Sequence, residues 1–547
     1  MFRALFFIIP LLCPLITVAQ DLKFELLTKW ESLTPEFPID FGNNKNGVDL
    51  FNIGDFNKDG INDVGLKTSK RAIIWDKTFG GAEADVATSI QQTSDGGYII
   101  AGYSMSNDGD IMDGNNGDPD YWIVKLDNLG NKIWDKTLGG SNREIASSIK
   151  QTSDGGYIIA GYTLSSNGDI SDDNNGSGDF WIIKLDSYGN KIWDKALGGS
   201  SYESPSEIEL TYDGGYVVCG YTESSNGDIS DNNKGIRDFW IVKLDSSGNK
   251  IWNKTLGGSS YEYANSIEKT FDGGYIVAGS TQSNDGDISN DNHGNADYWI
   301  VKLDGIGNKV WDKTLGGSDY DSPSSIKQTF DGGYIIAGTT KSTDGDIIDG
   351  NNGESDCWII KLDGSGTIIW NKTYGGSLSE EEASIDQTID GGYIITCNTY
   401  SNDGDISNSN NGERDFWIIK LDSSGNKIWD RTIGGSKYEG VYSVQQTSDM
   451  GYIMAGTSKS NDGDISDGNN GKKDFWIIKL NENETPRDSL YVLTLNNNGS
   501  IKNKNTIVPE VTGFDYSGQR GTGFGGFGSG LVNMGDMDGN GTDDFIV

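Results

Sequence analysis

A single spacing dominates this chain. The second glycine of a DGGY turn recurs at Gly97, Gly156, Gly215, Gly274, Gly333, Gly392 and Gly451, always 59 residues apart. Two tryptophan columns keep the same period: Trp122, Trp181, Trp240, Trp299, Trp358, Trp417 and Trp476, then Trp75, Trp134, Trp193, Trp252, Trp311, Trp370 and Trp429. A fixed period of this length marks a repeat architecture in which each unit buries its apolar face against its neighbours.

Each unit contains four short β-rich runs, in the second copy Ser148 to Thr152, Tyr157 to Thr163, Phe180 to Asp186 and Lys191 to Ala196. Ser153-Asp154-Gly155-Gly156 and Ser187-Tyr188-Gly189-Asn190 join the outer pairs, and their residues tolerate the positive φ of hairpin turns. Four strands per unit predict an antiparallel meander and an all-β, seven-bladed propeller. The array opens on a lone fourth strand, Ala72 to Lys77, and ends on three strands near Leu480, so its two ends are expected to complete one blade. Closure of that kind hides the edge strands. The paired tryptophans read as blade-to-blade packing.

The strings DGGYIIAGYT and DFWIIKLDSSGNKIWDKTLGG resemble the secreted bacterial propeller repeats known as delta-60-like. That resemblance covers about three quarters of the chain. It implies a large exported protein and says little about chemistry.

Composition narrows the partners. With 43 basic and 81 acidic side chains the formal charge is -38, which repels nucleic acid and anionic lipid and favours cations. Residues 1–19 carry Arg3, an apolar stretch from Leu5 to Ile16 and a small-residue cleavage site at Thr17-Val18-Ala19, so a signal peptide is expected, with the mature chain starting at Gln20 and located outside the cell or on its surface. Cys219, Cys357 and Cys397 have no metal-like spacing and read as core residues. His293 is the single histidine, read here as an incidental surface residue, which removes His-dependent triads and His-ligated zinc over most of the chain.

Between the second and third runs lies an acidic loop with three constant positions. They are an aspartate (Asp110, Asp169, Asp228, Asp287, Asp346, Asp405, Asp464), an asparagine (Asn115, Asn174, Asn233, Asn292, Asn351, Asn410, Asn469) and a second aspartate (Asp120, Asp179, Asp238, Asp297, Asp356, Asp415, Asp474). Carboxylates and amide oxygens at short spacing suit Ca²⁺. The same residues also suit Asx turns that bond their own backbone, and both readings stand at this point. Meander topology puts these loops on one face with the blade connections, which add Glu144, Glu203, Glu262, Asp321, Glu381 and Glu439.

Stronger calcium patterns flank the array. Asp55, Asn57, Asp59 and Asp63, with the Ile61 carbonyl between the last two, form one; Asp536, Asp538, Asn540, Thr542 and Asp544 repeat its spacing. Phe51-Asn52-Ile53-Gly54 and Leu531-Val532-Asn533-Met534-Gly535 lead into them, and Asp544-Phe545-Ile546-Val547 follows the second, so these segments resemble the FG-GAP repeats of integrin-α-type propellers. The resemblance implies that these residues are calcium ligands. The expected organisation is a signal peptide over 1–19, an N-terminal segment with the first loop over 20–69, the ring over 70–483, and a C-terminal segment over 484–547 that stops on a strand, with the ring inserted into a second, FG-GAP propeller.

The leading functional expectation is a non-enzymatic, monomeric, calcium-binding adhesion or interaction module for an extracellular protein or glycan, because near-identical repeats offer seven copies of one chemistry rather than one asymmetric constellation. The alternatives are an exported propeller enzyme, quinoprotein-like dehydrogenase or polysaccharide lyase, and a pure scaffold for a further domain.

Overall fold

A computed structural model describes residues 48–54, 63–68, 73–172, 174–290, 292–408, 410–481, 489–495, 501–507, 532–535 and 544–546. The chain divides into two compact units, one spanning 73–481 and one drawing on the chain before and after it.

The first unit is a closed ring of seven four-stranded antiparallel blades, a seven-bladed β-propeller, with no helix among the described residues. Blade two shows the plan: Glu144–Gln151, Tyr157–Thr163, Asp179–Leu185 and Lys191–Leu197 pair in sequence order. The innermost strand starts at Glu144, four residues before the sequence expectation, because a bulge between Ala146 and Ser148 interrupts the alternation that would have revealed it. Pro205 and Pro323 occupy the same innermost strands, whose channel-side edge has no ladder partner to lose.

Burial follows from this layering. Every residue of the third strand Asp179–Leu185 is buried, since blades pack on both of its faces, while the outermost strand Lys191–Leu197 is only half covered and leaves Ile192 exposed. Each hydrophobic core is shared by two blades; Tyr121 and Ile123 of blade one meet Ile149, Tyr157, Trp181 and Ile183 of blade two. The Trp181 ring lies 4.7 Å from Tyr121 of the preceding blade, and Trp134 lies 5.8 Å from Tyr157 of the following one. Both tryptophan columns therefore stitch adjacent blades, and the indole N–H of Trp181 donates to Asp194 Oδ2 at 3.0 Å. Cys219, Cys357 and Cys397 are buried and unpaired within these cores.

The ring closes where the two ends were expected to meet. Ile73–Phe79 pairs antiparallel with Asp474–Leu480, Thr78 facing Trp476, and supplies the fourth strand of blade seven. In the second unit Val48–Gly54 and Asp63–Thr68 form one sheet with Ser489–Leu495 and Ile501–Ile507, so segments on either side of the ring are hydrogen-bonded to each other.

One turn departs from the repeat. Gly155 and its counterparts take φ near 81°, but blade seven has Met450 there at φ 66°. A non-glycine residue in that left-handed region is strained by about 1 kcal/mol. Met450→Gly is expected to stabilise the protein by about that amount, read as an increase in melting temperature.

Candidate functional site

Seven carboxylate junctions sit between the blades. At the first, Gly139 N–H donates to Asp169 Oδ2 at 3.1 Å and Gly140 N–H donates to Glu144 Oε2 at 2.7 Å. A Cβ on Gly139 would stand 2.3 Å from Asp120 Oδ1, so the paired glycines are required by the close approach of these side chains. The two aspartates of one acidic loop thus serve different junctions. Asp110 reaches back to Gly80, whereas Asp120 reaches forward to Gly139. Asn115 is committed locally, its amide donating to Ser104 O and its oxygen accepting from Gly117 N–H. The acidic loops are held by bonds to their own backbone in this arrangement, and among the described residues no three His, Cys, Asp or Glu side chains group as a metal site.

One position stands out. Asp120 Oδ2 accepts from Asn116 N–H at 2.7 Å, yet Oδ1 is buried without a hydrogen-bond partner, and the same holds at Asp179, Asp238, Asp297, Asp356, Asp415 and Asp474. Burial, with the facing Glu144 and Asp169 charges adding to it, pushes the Asp120 carboxyl up to about 6. Asp356 and Asp415 are pushed to about 7 for the same reason. The sixth blade connection contributes Glu380, not Glu381: Glu380 is fully buried and binds Gly376 N–H, one residue before the position read from the sequence, and Asp85 completes the column as its seventh member. His293 is largely exposed, with Nδ1 3.4 Å from Asp297 Oδ2.

Sequence reasoning passed over a lysine column at the opposite end of the blades. Lys184 is buried in the third strand and donates to Thr152 Oγ1, Asp154 Oδ1 and Leu185 O at 2.9 to 3.0 Å, pinning the DGGY turn. Burial raises the Asp154 carboxyl, but bonds from Thr152, Gly156 and Lys184 outweigh it and hold it down at about 2. The signal was present as the invariant lysine of each W-I-x-K-L run.

The central channel encloses about 540 Å³ and is lined by the innermost strands. Its walls differ from blade to blade. At one level they carry Gln91, Lys150, Glu209, Glu268, Lys327, Asp386 and Gln445 in blade order. Lys150 lies 3.1 Å from Glu209 and 3.4 Å from Glu207, Lys327 lies 3.1 Å from Glu268, and Lys269 lies 2.7 Å from Glu209. Burial raises the Glu209 carboxyl, and the facing Lys150, Lys269 and Lys327 more than offset this, so it stays well below the usual range. Burial also raises Asp386.

On the acidic-loop face, tyrosines form an arc over blades two to four. Ring centroids of Tyr162 and Tyr202 lie 5.7 Å apart, Tyr202 and Tyr221 6.1 Å, Tyr221 and Tyr263 5.2 Å, and Tyr263 stacks on Tyr261 at 6.3 Å. Arg237 sits among them, 4.7 Å from the Tyr221 centroid, bonded to Glu223 and to Tyr263 Oη. These rings are half-buried; the column of Tyr162 and Tyr221 keeps a tyrosine only at Tyr103 beyond these blades, that of Tyr202 and Tyr261 at Tyr320 and Tyr438, and Arg414 sits 4.7 Å from the Tyr438 centroid in a smaller counterpart of the arc.

The flanking calcium patterns fall mainly outside the described residues. Asp55, Asn57, Asp59 and Ile61 lie there, as do Asp536, Asp538, Asn540 and Thr542. Asp63 pairs with Gly54 and Asp544 with Gly535, each after the same register shift, so both loops are closed by the same hairpin pairing.

No protein-family model matches the chain, so its likeness to delta-60-like and FG-GAP repeats rests on motifs alone. A curated relative, the regulatory protein FlaEY of Caulobacter vibrioides, is 22% identical over 227 residues, 39% of this chain and 24% of that protein. The chain therefore matches about a quarter of that relative's length. Among solved structures, the Pan2 WD40 domain of Neurospora crassa has a TM-score of 0.41 at 9% identity, covering 76% of this chain and 98% of that one. A gluconolactonase of Xanthomonas campestris has a TM-score of 0.33 at 8% identity, covering 76% and 99%.

The expectation of a chain without enzymatic activity is corrected here. The solved structures that resemble it include the gluconolactonase and a puromycin hydrolase, the latter at 10% identity and a TM-score of 0.34; likenesses this slight decide nothing about chemistry, and a propeller by itself does not fix whether a chain catalyses. The premise also fails on this chain's own residues, because the channel holds one asymmetric charged constellation rather than seven copies of one chemistry.

Proposed function

We propose that this protein is an exported propeller that binds an extracellular protein or glycan, with calcium at the two flanking loops. The observation that carries the reading is where the repeat breaks. Packing positions, junction carboxylates and the lysine column stay nearly constant through the ring, whereas the channel mouth varies and presents half-buried tyrosines around Arg237. Rigid aromatics beside fixed hydrogen-bonding groups suit recognition, because little side-chain freedom is lost on binding. The test is binding of the full chain to glycan and extracellular-protein arrays. A ligand whose affinity falls at least about tenfold on Tyr221→Ala or Tyr263→Ala, with an unchanged melt, supports the reading. A ligand set indifferent to both would contradict it.

For calcium, a bound ion stabilises the folded state by mass action, about 2.7 kcal/mol per site at a hundredfold excess over its Kd. Chelation is expected to lower the melting temperature, and calorimetric titration to give a stoichiometry near two. Asp59→Ala with Asp538→Ala should abolish that binding. A stoichiometry approaching nine would add the seven acidic loops, and none at millimolar calcium would refute the assignment.

The channel favours a second reading, a propeller enzyme in which Glu268, its carboxyl raised by burial, exchanges a proton while Lys327, held charged against burial by the facing Glu268, Glu207 and Glu209, steadies developing negative charge. Turnover lost in Lys327→Met while ligand binding persists would establish it.

A further inference from the structure

On the hairpin face, the turn between the first two strands of each blade projects one side chain beside the channel mouth. In blade order these are Ser94, Ser153, Tyr212, Phe271, Phe330, Ile389 and Ser448. The four apolar members occupy adjacent blades and are exposed by 63%, 64%, 65% and 68%. Blade seven extends the run with the strained Met450, 45% exposed. The turns are laced edge to edge: Phe271 N–H donates to Gln328 Oε1, Phe330 N–H to Gln387 Oε1 and Ile389 N–H to Gln446 Oε1, at 2.7 to 2.8 Å. Serine serves the same backbone in three copies, so folding does not require the large residues. Four exposed apolar tips in a row on adjacent blades, with the Lys269 ammonium 5.8 Å from the Tyr212 centroid at one end, are the kind of apolar exposure that marks an interaction site.

A second asymmetry coincides with the first. Most of the charged channel residues belong to the same blades, with Lys150 of blade two the exception: Glu207 and Glu209 in blade three, Glu268 and Lys269 in blade four, Lys327 in blade five, Glu382 and Asp386 in blade six. Phe330 lines the same cavity. Beside each apolar tip stands an aspartate, Asp213, Asp272, Asp331 or Asp390, which is paired on its inner side with a buried lysine and otherwise open to solvent. The mouth is therefore an apolar arc on an acidic rim.

We propose that this mouth docks an extended cationic peptide segment, its apolar side chains seated on Tyr212, Phe271, Phe330 and Ile389 and its lysine or arginine directed to the aspartate rim. Tyr212, Phe271 and Phe330 would also stack on a sugar, so the choice of a peptide rests on the aspartates beside each tip, which suit a cationic side chain that a neutral glycan lacks. The inference rests on the interaction-module reading and assigns it a face and a partner chemistry.

The test measures anisotropy of a short labelled peptide alternating lysine and leucine, and of its glutamate counterpart, against the full chain. The combined variant Tyr212→Ser, Phe271→Ser, Phe330→Ser and Ile389→Ser adopts the residue that the other blades already use, so its melt should match the parent. The expected result is binding of the lysine peptide that salt weakens, a loss of at least about tenfold in the serine variant, and no binding of the glutamate peptide. Equal binding by parent and variant, equal binding of both peptides, or no binding at all would each overturn the inference. So would sedimentation showing that the parent is a dimer and the variant a monomer, which would seat a second copy on the arc. A ligand lost on Tyr263→Ala but untouched by the serine variant would overturn this proposal while leaving the interaction module standing.

Discussion

Deletion of Ile73–Phe79 should open the ring. Blade seven would keep three strands, Asp474–Leu480 would become an unpaired edge, and Trp476 would lose its bond to Asp76. The buried Phe79, the half-buried Ile73 and Trp75 and most of a seven-residue ladder are at stake, at about 1.5–3 kcal/mol for a fully buried large apolar side chain and about 1 kcal/mol for each hydrogen bond. The expected outcome is a fall in melting temperature of more than about 10 °C, or self-association through the freed edge, in calorimetry and sedimentation. By contrast, Phe271→Ser at a hairpin tip, where three other blades already carry serine, should leave the parent melt almost unchanged.

In chelator, the ring should be less stable at pH 8 than at pH 5. Burial raises the seven junction aspartates typified by Asp120 from the ordinary 3.8 to about 6 in the folded state, and to about 7 at Asp356 and Asp415. A raised carboxyl means that the folded state holds its proton more tightly than the unfolded chain. The resulting stability is complete below about 4 and is lost as pH rises through 6 to 7. Discounted to about 1 kcal/mol per site for relaxation and solvent access, the seven together correspond to a melting shift on the order of 10 °C. Thermal melts across that range check it, and replacing all seven by asparagine should flatten the profile. A melt that rises steadily from pH 5 to 8 would contradict the placement of the buried Oδ1 atoms.

The ring was legible because its causes are local and repeated. A DGGY turn, a period of 59 and a missing strand at each end determine strand count, connection and closure, and the pairing of Thr78 with Trp476 follows. The junctions were less legible. Asp110 and Asp120 look like co-ligands in sequence because they share a loop, yet the twist of the blades sends one back to Gly80 and the other forward to Gly139. Glu380 was misassigned by one residue because three consecutive glutamates blur the period, and Glu382 at φ 56° shows that the backbone itself accommodates an irregularity there. The channel was illegible for a different reason. Its side chains come from the most variable strand of each repeat, and their pairing, Lys150 with Glu209 or Lys327 with Glu268, joins residues about one or more periods apart. Periodicity reports what the blades have in common, and this constellation is what they do not share.

The claim that function resides at the mouths, where the copies differ, and not on the repeated outer wall is tested most directly by a substitution scan read on ligand affinity and melting temperature together. Three sets suffice: Tyr221 and Tyr263 to alanine at one mouth, Phe271 and Phe330 to serine at the other, and the exposed Ile133 and Ile192 of the outer strands to threonine. The account predicts a loss of at least about tenfold in affinity from at least one mouth set, with the melt preserved, and no change from the outer set. Affinity that falls with Ile133 and Ile192 and is indifferent to both mouths would contradict it.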